Sequence, residues 1–305
     1  MHRPGTMIVR AALLALAVVA GQAGAWAAQS GASAGQGHAA GGIVTALGKD
    51  QRSLVVSCDA IPGYMDAMEM SLAVRDPSML VAIKPGMTVR FTMVEENHVL
   101  YADGIQVGTS VDYGADPMQA AGLTALETAL DPALAANIVQ PGHPVPEFVL
   151  TDQAGEAIHL SDLRGKVVVL TFGYSRCPFP QYCYRLSNNL SAVEKRFRAR
   201  ARRDLALMTI AIDPEHDRGK ALSEYAASFH ADPADWHFLT GPLPVVKQVA
   251  GMFGMDFWRT EGVLTHSLHT AILDRSGKLV ANIEGNHFTA QQLGDLVRTT
   301  MDLPR

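Results

Sequence analysis

A small all-β barrel followed by an α/β domain is the fold predicted for this chain, on three observations. Short strand-like runs separated by turns fill residues 43–107, a strand–helix–strand alternation starts at residue 167, and 305 residues suffice for two cores. Composition agrees, because 48% hydrophobic with 18% charged residues describes a globular chain. The formal net charge of -5 leaves no basic excess for a phosphate backbone. The arginines between Lys195 and Arg203 read as one solvated helix face, so no nucleic-acid partner is expected.

The first 28 residues have the layout of an export signal. His2, Arg3 and Arg10 precede an apolar run over 11–20, and small residues end in Ala25-Trp26-Ala27-Ala28. Gly21 and Gln22 break the run short of the ~20 apolar residues a membrane span needs. Periplasmic export is therefore expected, and an uncleaved segment would tether the chain to the membrane. Residues 29–42 are rich in Ser, Ala, Gly and Gln and are expected to be a flexible lead-in, with His38 given no role.

Strand-like runs follow at 43–47, 54–57, 68–74, 89–94 and 99–107, with one helical turn expected within 77–83. Five short strands in one small domain, 43–108, suggest a barrel of OB type. Met68 and Met70 share one face of their strand because side chains alternate with period two. Methionine usually fills core gaps. With Cys58, Tyr64 and Met65 nearby, the same pair also forms a set of soft donors suited to Cu(I).

Residues 109–140 lose the alternation and read as a linker with one weakly helical piece, 120–130. The second domain, 141–305, opens with a hairpin, 148–151 and 158–160, before the buried strand 167–172. Leu186, Leu190, Val193 and Phe197 then recur at helical spacing. Strand 205–212 completes a parallel βαβ unit, and a second amphipathic helix carries Leu222, Tyr225, Ala226 and Phe229. After a short strand at 236–239 come a hairpin, 269–274 and 278–283, and a last helix opened by the capping-box pair Thr289 and Gln292. That order is the order of a thioredoxin-like fold.

Cys177 and Cys183 fall at the first strand-to-helix turn, where helix-terminal amides favour a thiolate. A structural disulfide, a redox couple and a metal site are all compatible with such a pair in an oxidising compartment. Three cysteines are an odd number, so Cys58 is a free thiol, an intermolecular partner or a ligand.

The whole segment 142–305 resembles the Sco/SenC family. Its motifs are Phe172-Gly173-Tyr174-Ser175-Arg176-Cys177-Pro178, Asp213-Pro214-Glu215-His216-Asp217, Trp236-His237-Phe238-Leu239-Thr240-Gly241 and His266-Ser267. The resemblance implies copper held by Cys177, Cys183 and His266; the approach to His266 over 262–265 reads locally as a mobile loop. It also implies delivery to a cytochrome c oxidase subunit or another copper-accepting protein, or action on the thiols of the oxidase's copper site. Five residues separate the cysteines where the family has three; Pro178 and Pro180 are expected to stiffen that loop. His269 competes with His266 and should point the other way. Asp213 either orients a ligand or caps the turn before Pro214.

Residues 42–107 resemble the CusF-like copper-binding domain. That resemblance implies Cu(I) on Met68 and Met70, with Cys58 in the place of the usual histidine and Met65 or Tyr64 as the cap. The combined expectation is an exported copper metallochaperone for cytochrome c oxidase assembly with no catalytic residue. The alternative is a thiol-disulfide oxidoreductase using the same cysteines. A wide Cys-to-Cys loop and a fused second Cu(I)-type site favour the chaperone.

Overall fold

The computed structural model describes residues 37–108, 137–179, 181–260 and 263–304. The expected export signal, most of the lead-in, Pro180 and the helical piece over 120–130 lie outside the described residues. Among the described residues no helix is long and apolar enough to cross a membrane.

Five strands close the barrel: β1 (His38–Leu47), β2 (Ser53–Cys58), β3 (Met68–Ala73), β4 (Thr88–Glu96) and β5 (Val99–Gly108), in the order β1-β2-β3-β5-β4. The expected helical turn is a single 3-10 turn, Pro77–Leu80, with Asp76 accepting from the Ser78 amide at its start. Val44, Leu54, Val56, Leu72, Val89 and Met93 fill the interior. One expectation is corrected: residues 38–42 belong to β1 and pair with β4 from His38 opposite Met93 to Gly42 opposite Val89. Their small side chains permit a close approach, since a Cβ on Gly42 would lie 2.2 Å from the Ser57 carbonyl oxygen.

The second domain centres on a sheet ordered β10-β9-β8-β13-β14. Its strands are β8 (Val167–Gly173), β9 (Leu205–Ala211), β10 (Trp236–Leu239), β13 (His269–Leu273) and β14 (Leu279–Glu284). The first three are parallel and the last two antiparallel. The expected hairpin before the sheet is β6 (Val149–Thr151) with β7 (Ala157–His159). Every residue of β8 and β9 is buried. Such a strand needs cover on both faces, and alternation supplies it. Val167 and Val169 pack among the buried residues of α1 (Cys183–Phe197), α2 (Lys220–Ser228) and α4 (Ala290–Met301). Val168 and Leu170 pack with those of α3 (Leu243–Met252).

Two features depart from the expected pattern. Helix α3 is rich in β-branched valine, and its conformation is secured by the buried contacts of Val246, Val249 and Ala250 rather than by propensity. The segment expected to be a mobile approach to His266 is instead strand β12 (Val263–His266), paired with β11 (Phe257–Thr260) so that His266 lies opposite Phe257. Backbone pairing fixes the histidine where an open loop was expected.

The barrel rests on α4. Ile43 of β1 lies in the same apolar cluster as Leu293, Leu296 and Val297 of that helix. The turn at Gly86 comes so near β14 that a Cβ there would stand 2.5 Å from the Cβ of Ala281.

Candidate metal centres

The end of β8 delivers the chain to Tyr174, whose carbonyl accepts from the Cys177 amide at 3.3 Å. Cys183 is the first residue of α1. The two sulfurs are 2.8 Å apart, and the Nε2 of His266 is 3.4 Å from the Cys183 sulfur. All three side chains are buried, Cys177 the least at 7% exposed. The fold thus brings together two thiols and an imidazole from positions 83 residues apart in sequence.

The tautomer of His266 follows from its partner. Its Nδ1 is 2.8 Å from the Ser267 carbonyl oxygen, which can only accept, so Nδ1 carries a proton and Nε2 is the ring nitrogen that faces the sulfurs. The thiols are unequal. Cys177 titrates well below an ordinary thiol, first because Cys183 donates a hydrogen bond to it and further because His266 is near, which together outweigh its burial. Cys183 is pushed up by the same hydrogen bond and by desolvation. A thiolate was expected at the helix N-terminus, but the residue there is the donor and its loop partner is the anion. The Tyr174 ring meets the His266 ring edge-on at 5.8 Å, and its hydroxyl, pushed up by burial and by the two sulfurs, donates to the Leu264 carbonyl at 3.4 Å. Tyr174 was quoted only as part of a motif. Its place at the mouth of the turn, three residues before Cys177, was the signal for its role.

Asp213 opens the turn it was expected to cap, and its carboxylate bonds residues beside the candidate ligands rather than the ligands themselves. Its backbone oxygen accepts from the amides of His216 and Asp217 at 3.0 and 2.8 Å. Its buried carboxylate accepts from Arg176 and Arg259, each at 2.7 Å. Arg176 adjoins Cys177, and Arg259 lies on the strand paired with the one that ends in His266. One carboxylate therefore ties the thiol loop to the histidine hairpin. Burial opposes its ionisation, but hydrogen bonds from His216 and Arg176 hold it below the usual carboxylate range. Asp213, Glu215 and His216 also bring donor atoms within 4.8 Å of one another, but the two guanidinium groups already balance the buried charge. His269 is turned to Asn282, 3.2 Å away, and burial lowers its pKa to about 4, so the competitor is a neutral core histidine.

In the barrel, strand register decides which donors share a wall. Cys58 stands opposite Met68, and Val56 opposite Met70. Directly opposed residues point to the same face, and Cys58 and Met70 belong to the interior cluster, so this face is the inner one. Met68 is 48% exposed and marks the mouth. Residues Ile61 and Met65 exchange backbone hydrogen bonds at 2.9 and 3.0 Å around Gly63 (φ +76°), which leaves Tyr64 at the tip of the turn. His38 stacks on Tyr64 with ring centroids 3.8 Å apart. This histidine had been given no role; continuing the alternation back from Gly42 through Ala40 would have found it. Burial, and then the charge of Asp59, push the Cys58 thiol up to about 12.

Residues 138–302 match the family model described as SCO1/SenC, more than half of the chain, and the chain belongs to that family. Residues 37–115 match the model described as copper binding periplasmic protein CusF. The SCO2-like protein RT0576 of Rickettsia typhi is 28% identical over 142 residues, 44% of this chain and 66% of the relative, so the chain spans just under two thirds of that relative's length. The copper-bound ScoI structure from Arabidopsis thaliana is 25% identical over 50% of this chain and 96% of its own, with a TM-score of 0.45. BsSco, described as a member of the Sco family of cytochrome c oxidase assembly proteins, is 23% identical over 55% of this chain and 99% of its own, with a TM-score of 0.46.

Proposed function

We propose that the protein is an exported copper metallochaperone serving cytochrome c oxidase assembly, with Cys177, Cys183 and His266 as one copper site and Cys58, Met68 and Met70 as a second. The observation that carries this is the convergence of a thiolate, a thiol and an imidazole nitrogen, with Nε2 3.4 Å from the Cys183 sulfur. Two sulfurs and one nitrogen form a soft donor set with room for a further ligand, which suits copper better than a closed four-donor zinc site. The barrel supplies thioethers and a thiol, again soft donors. Family membership, the CusF match and the copper-bound relative support the same cargo. The acceptor is an oxidase subunit or another copper-accepting protein. The compartment is the periplasm, reached through the signal-like first 28 residues, which tether the chain if they stay attached.

A second function, thiol-disulfide exchange on the thiols of the oxidase's copper site, is favoured by one observation, the 2.8 Å separation of a thiolate and a thiol. Attack on a disulfide needs an accessible thiolate, and Cys177 is the more exposed of the two. The imidazole has no evident task in that chemistry.

Titration of the reduced chain with Cu(I) against a competing chelator tests the proposal. Two equivalents should bind tightly, one lost in Cys177→Ser with Cys183→Ser and the other in Met68→Leu with Met70→Leu. Tight binding that survives in the double cysteine variant at full stoichiometry would overturn the assignment.

A further inference from the structure

Ser57, Asp59, Ala67 and Glu69, which flank the barrel's donors, hold one helix of the other domain. Ser57 precedes Cys58, and its hydroxyl donates to buried Asp295 at 2.7 Å. Gln292 donates to the Ser57 carbonyl at 3.3 Å and to the Asp59 carboxylate at 2.9 Å. Glu69, between Met68 and Met70, is ion-paired with Arg298 and accepts from Thr45 at 2.9 Å. Gln291 donates to the carbonyl of Ala67, the residue before Met68, at 2.9 Å. Period two accounts for this pattern, since one face of β2 and β3 carries donors inward and the other carries polar groups onto α4.

The same helix reaches the thiol loop. Asp295 also accepts from Arg196 of α1, the helix that Cys183 opens, at 2.6 Å. Asn286, just before α4, donates to the carbonyl of Gln181 between the two cysteines at 2.6 Å. Asn189 of α1 holds the Phe288 carbonyl at 3.2 Å. One short segment, 286–291, is thus bonded to the start of β3 at one end and to the thiol loop at the other. Five residue steps span at most about 17 Å even when fully extended. The barrel mouth and the thiol turn therefore lie at the same end of the molecule, on a common support.

We propose that copper moves within the chain, from the barrel mouth to the Cys177 and Cys183 site, and that the barrel–α4 clamp exists to hold donor and acceptor in reach. This rests on the copper function proposed above. The metal stays Cu(I) throughout. Its bonds to the Met68 and Met70 thioethers and the Cys58 sulfur break as bonds to the Cys177 and Cys183 sulfurs and His266 Nε2 form, and the proton that the Cys183 thiol gives up to water is balanced by the one that Cys58 takes from water. Direction follows from donor type, because two cysteine sulfurs and an imidazole hold a soft cation more firmly than one cysteine sulfur and two neutral thioethers at a half-exposed mouth. Tethering gives an effective concentration of order millimolar. At about 10 μM protein, transfer within the chain should then outpace transfer between chains roughly 100-fold.

The test uses the full reduced chain given one equivalent of Cu(I), with protection of Cys177 from alkylation as the readout. Protection should appear at a rate independent of protein concentration over a tenfold range. Glu69→Gln with Arg298→Gln loosens the clamp and leaves both donor sets intact. Gln291→Ala with Asn286→Ala, which removes only side-chain bonds to carbonyls, is the milder form should the first fail to fold. Either should slow transfer at least tenfold while leaving it independent of protein concentration, because the covalent link between the domains remains. Separate titrations of the two sites, in the variants given above, test the copper function itself. If both sites bind Cu(I) but clamp variants transfer at the parent rate, or the parent rate rises with protein concentration, the in-chain route is wrong while the copper function stands.

Discussion

Cys58 in the barrel and Cys177 at the thiol turn are both buried thiols, yet their surroundings drive them in opposite directions. Cys58 sits among apolar side chains with a carboxylate next to it, and among the described residues none donates a hydrogen bond to its sulfur, so it stays protonated. Cys177 is only slightly more exposed but receives a hydrogen bond from Cys183 and lies near an imidazole, so it ionises. Burial alone does not decide thiol chemistry; the partner within bonding reach does.

The largest expected effect comes from removing the partner. Cys183→Ala should return Cys177 towards an ordinary thiol, cutting its alkylation rate at about pH 6, well below the free-thiol value of ~8.5. In the parent chain the rate should persist at that pH, because the depressed Cys177 thiol loses reactivity only as pH falls through its lowered value. Copper affinity at this site should fall more than the 10- to 100-fold that loss of an outer-sphere partner typically costs.

Asp213→Asn sharpens the comparison by leaving both thiols in place while weakening the tie between their loop and the histidine hairpin. Copper affinity of the thiol site should drop roughly 10- to 100-fold and that of the barrel should not change, as read by chelator competition in each single-site variant.

The barrel thiol predicts a smaller, pH-dependent effect. The folded pKa of Cys58 is raised to about 12, above the unfolded value. Its contribution to stability is complete below that unfolded value and is lost as pH climbs towards the folded one. One proton gives a slope of about 1.4 kcal/mol per pH unit in that window. Denaturant titrations across alkaline pH should show this slope in the parent and lose it in Cys58→Val. Smallest of all, Tyr174→Phe removes one long hydrogen bond at 3.4 Å and should cost about 1 kcal/mol or less.

Much of this was legible in the sequence because the informative segments obey simple periodicities. Strands β8 and β9 are apolar runs interrupted only by Thr171 and Thr209, β10 was placed residue for residue, and the Thr289–Gln292 capping box forms as its spacing implies. What escaped was decided by contacts between distant segments. Residues 38–42 look like a linker because Ala and Gly dominate, and only the proximity of Ser57 reveals why glycine is needed at position 42. Helix α3 has weak local propensity, and β12 becomes a strand only through β11. Gln292 was visible as a cap, whereas its bonds to Ser57 and Asp59 depend on the barrel being docked.

The central claim is that the thiol turn handles metal, with His266 as a donor. The decisive measurement is Cu(I) affinity and disulfide-exchange rate in His266→Ala, made in a chain whose barrel site is removed by Met68→Leu with Met70→Leu. Loss of an imidazole whose Nε2 faces the sulfurs should lower copper affinity at least ~100-fold, since even outer-sphere partners cost 10- to 100-fold. Exchange between Cys177 and Cys183 should stay within a few-fold of the parent, because the stronger influence on Cys177 is the hydrogen bond from Cys183. Unchanged copper affinity with collapsed exchange would contradict the account and assign the site to thiol chemistry.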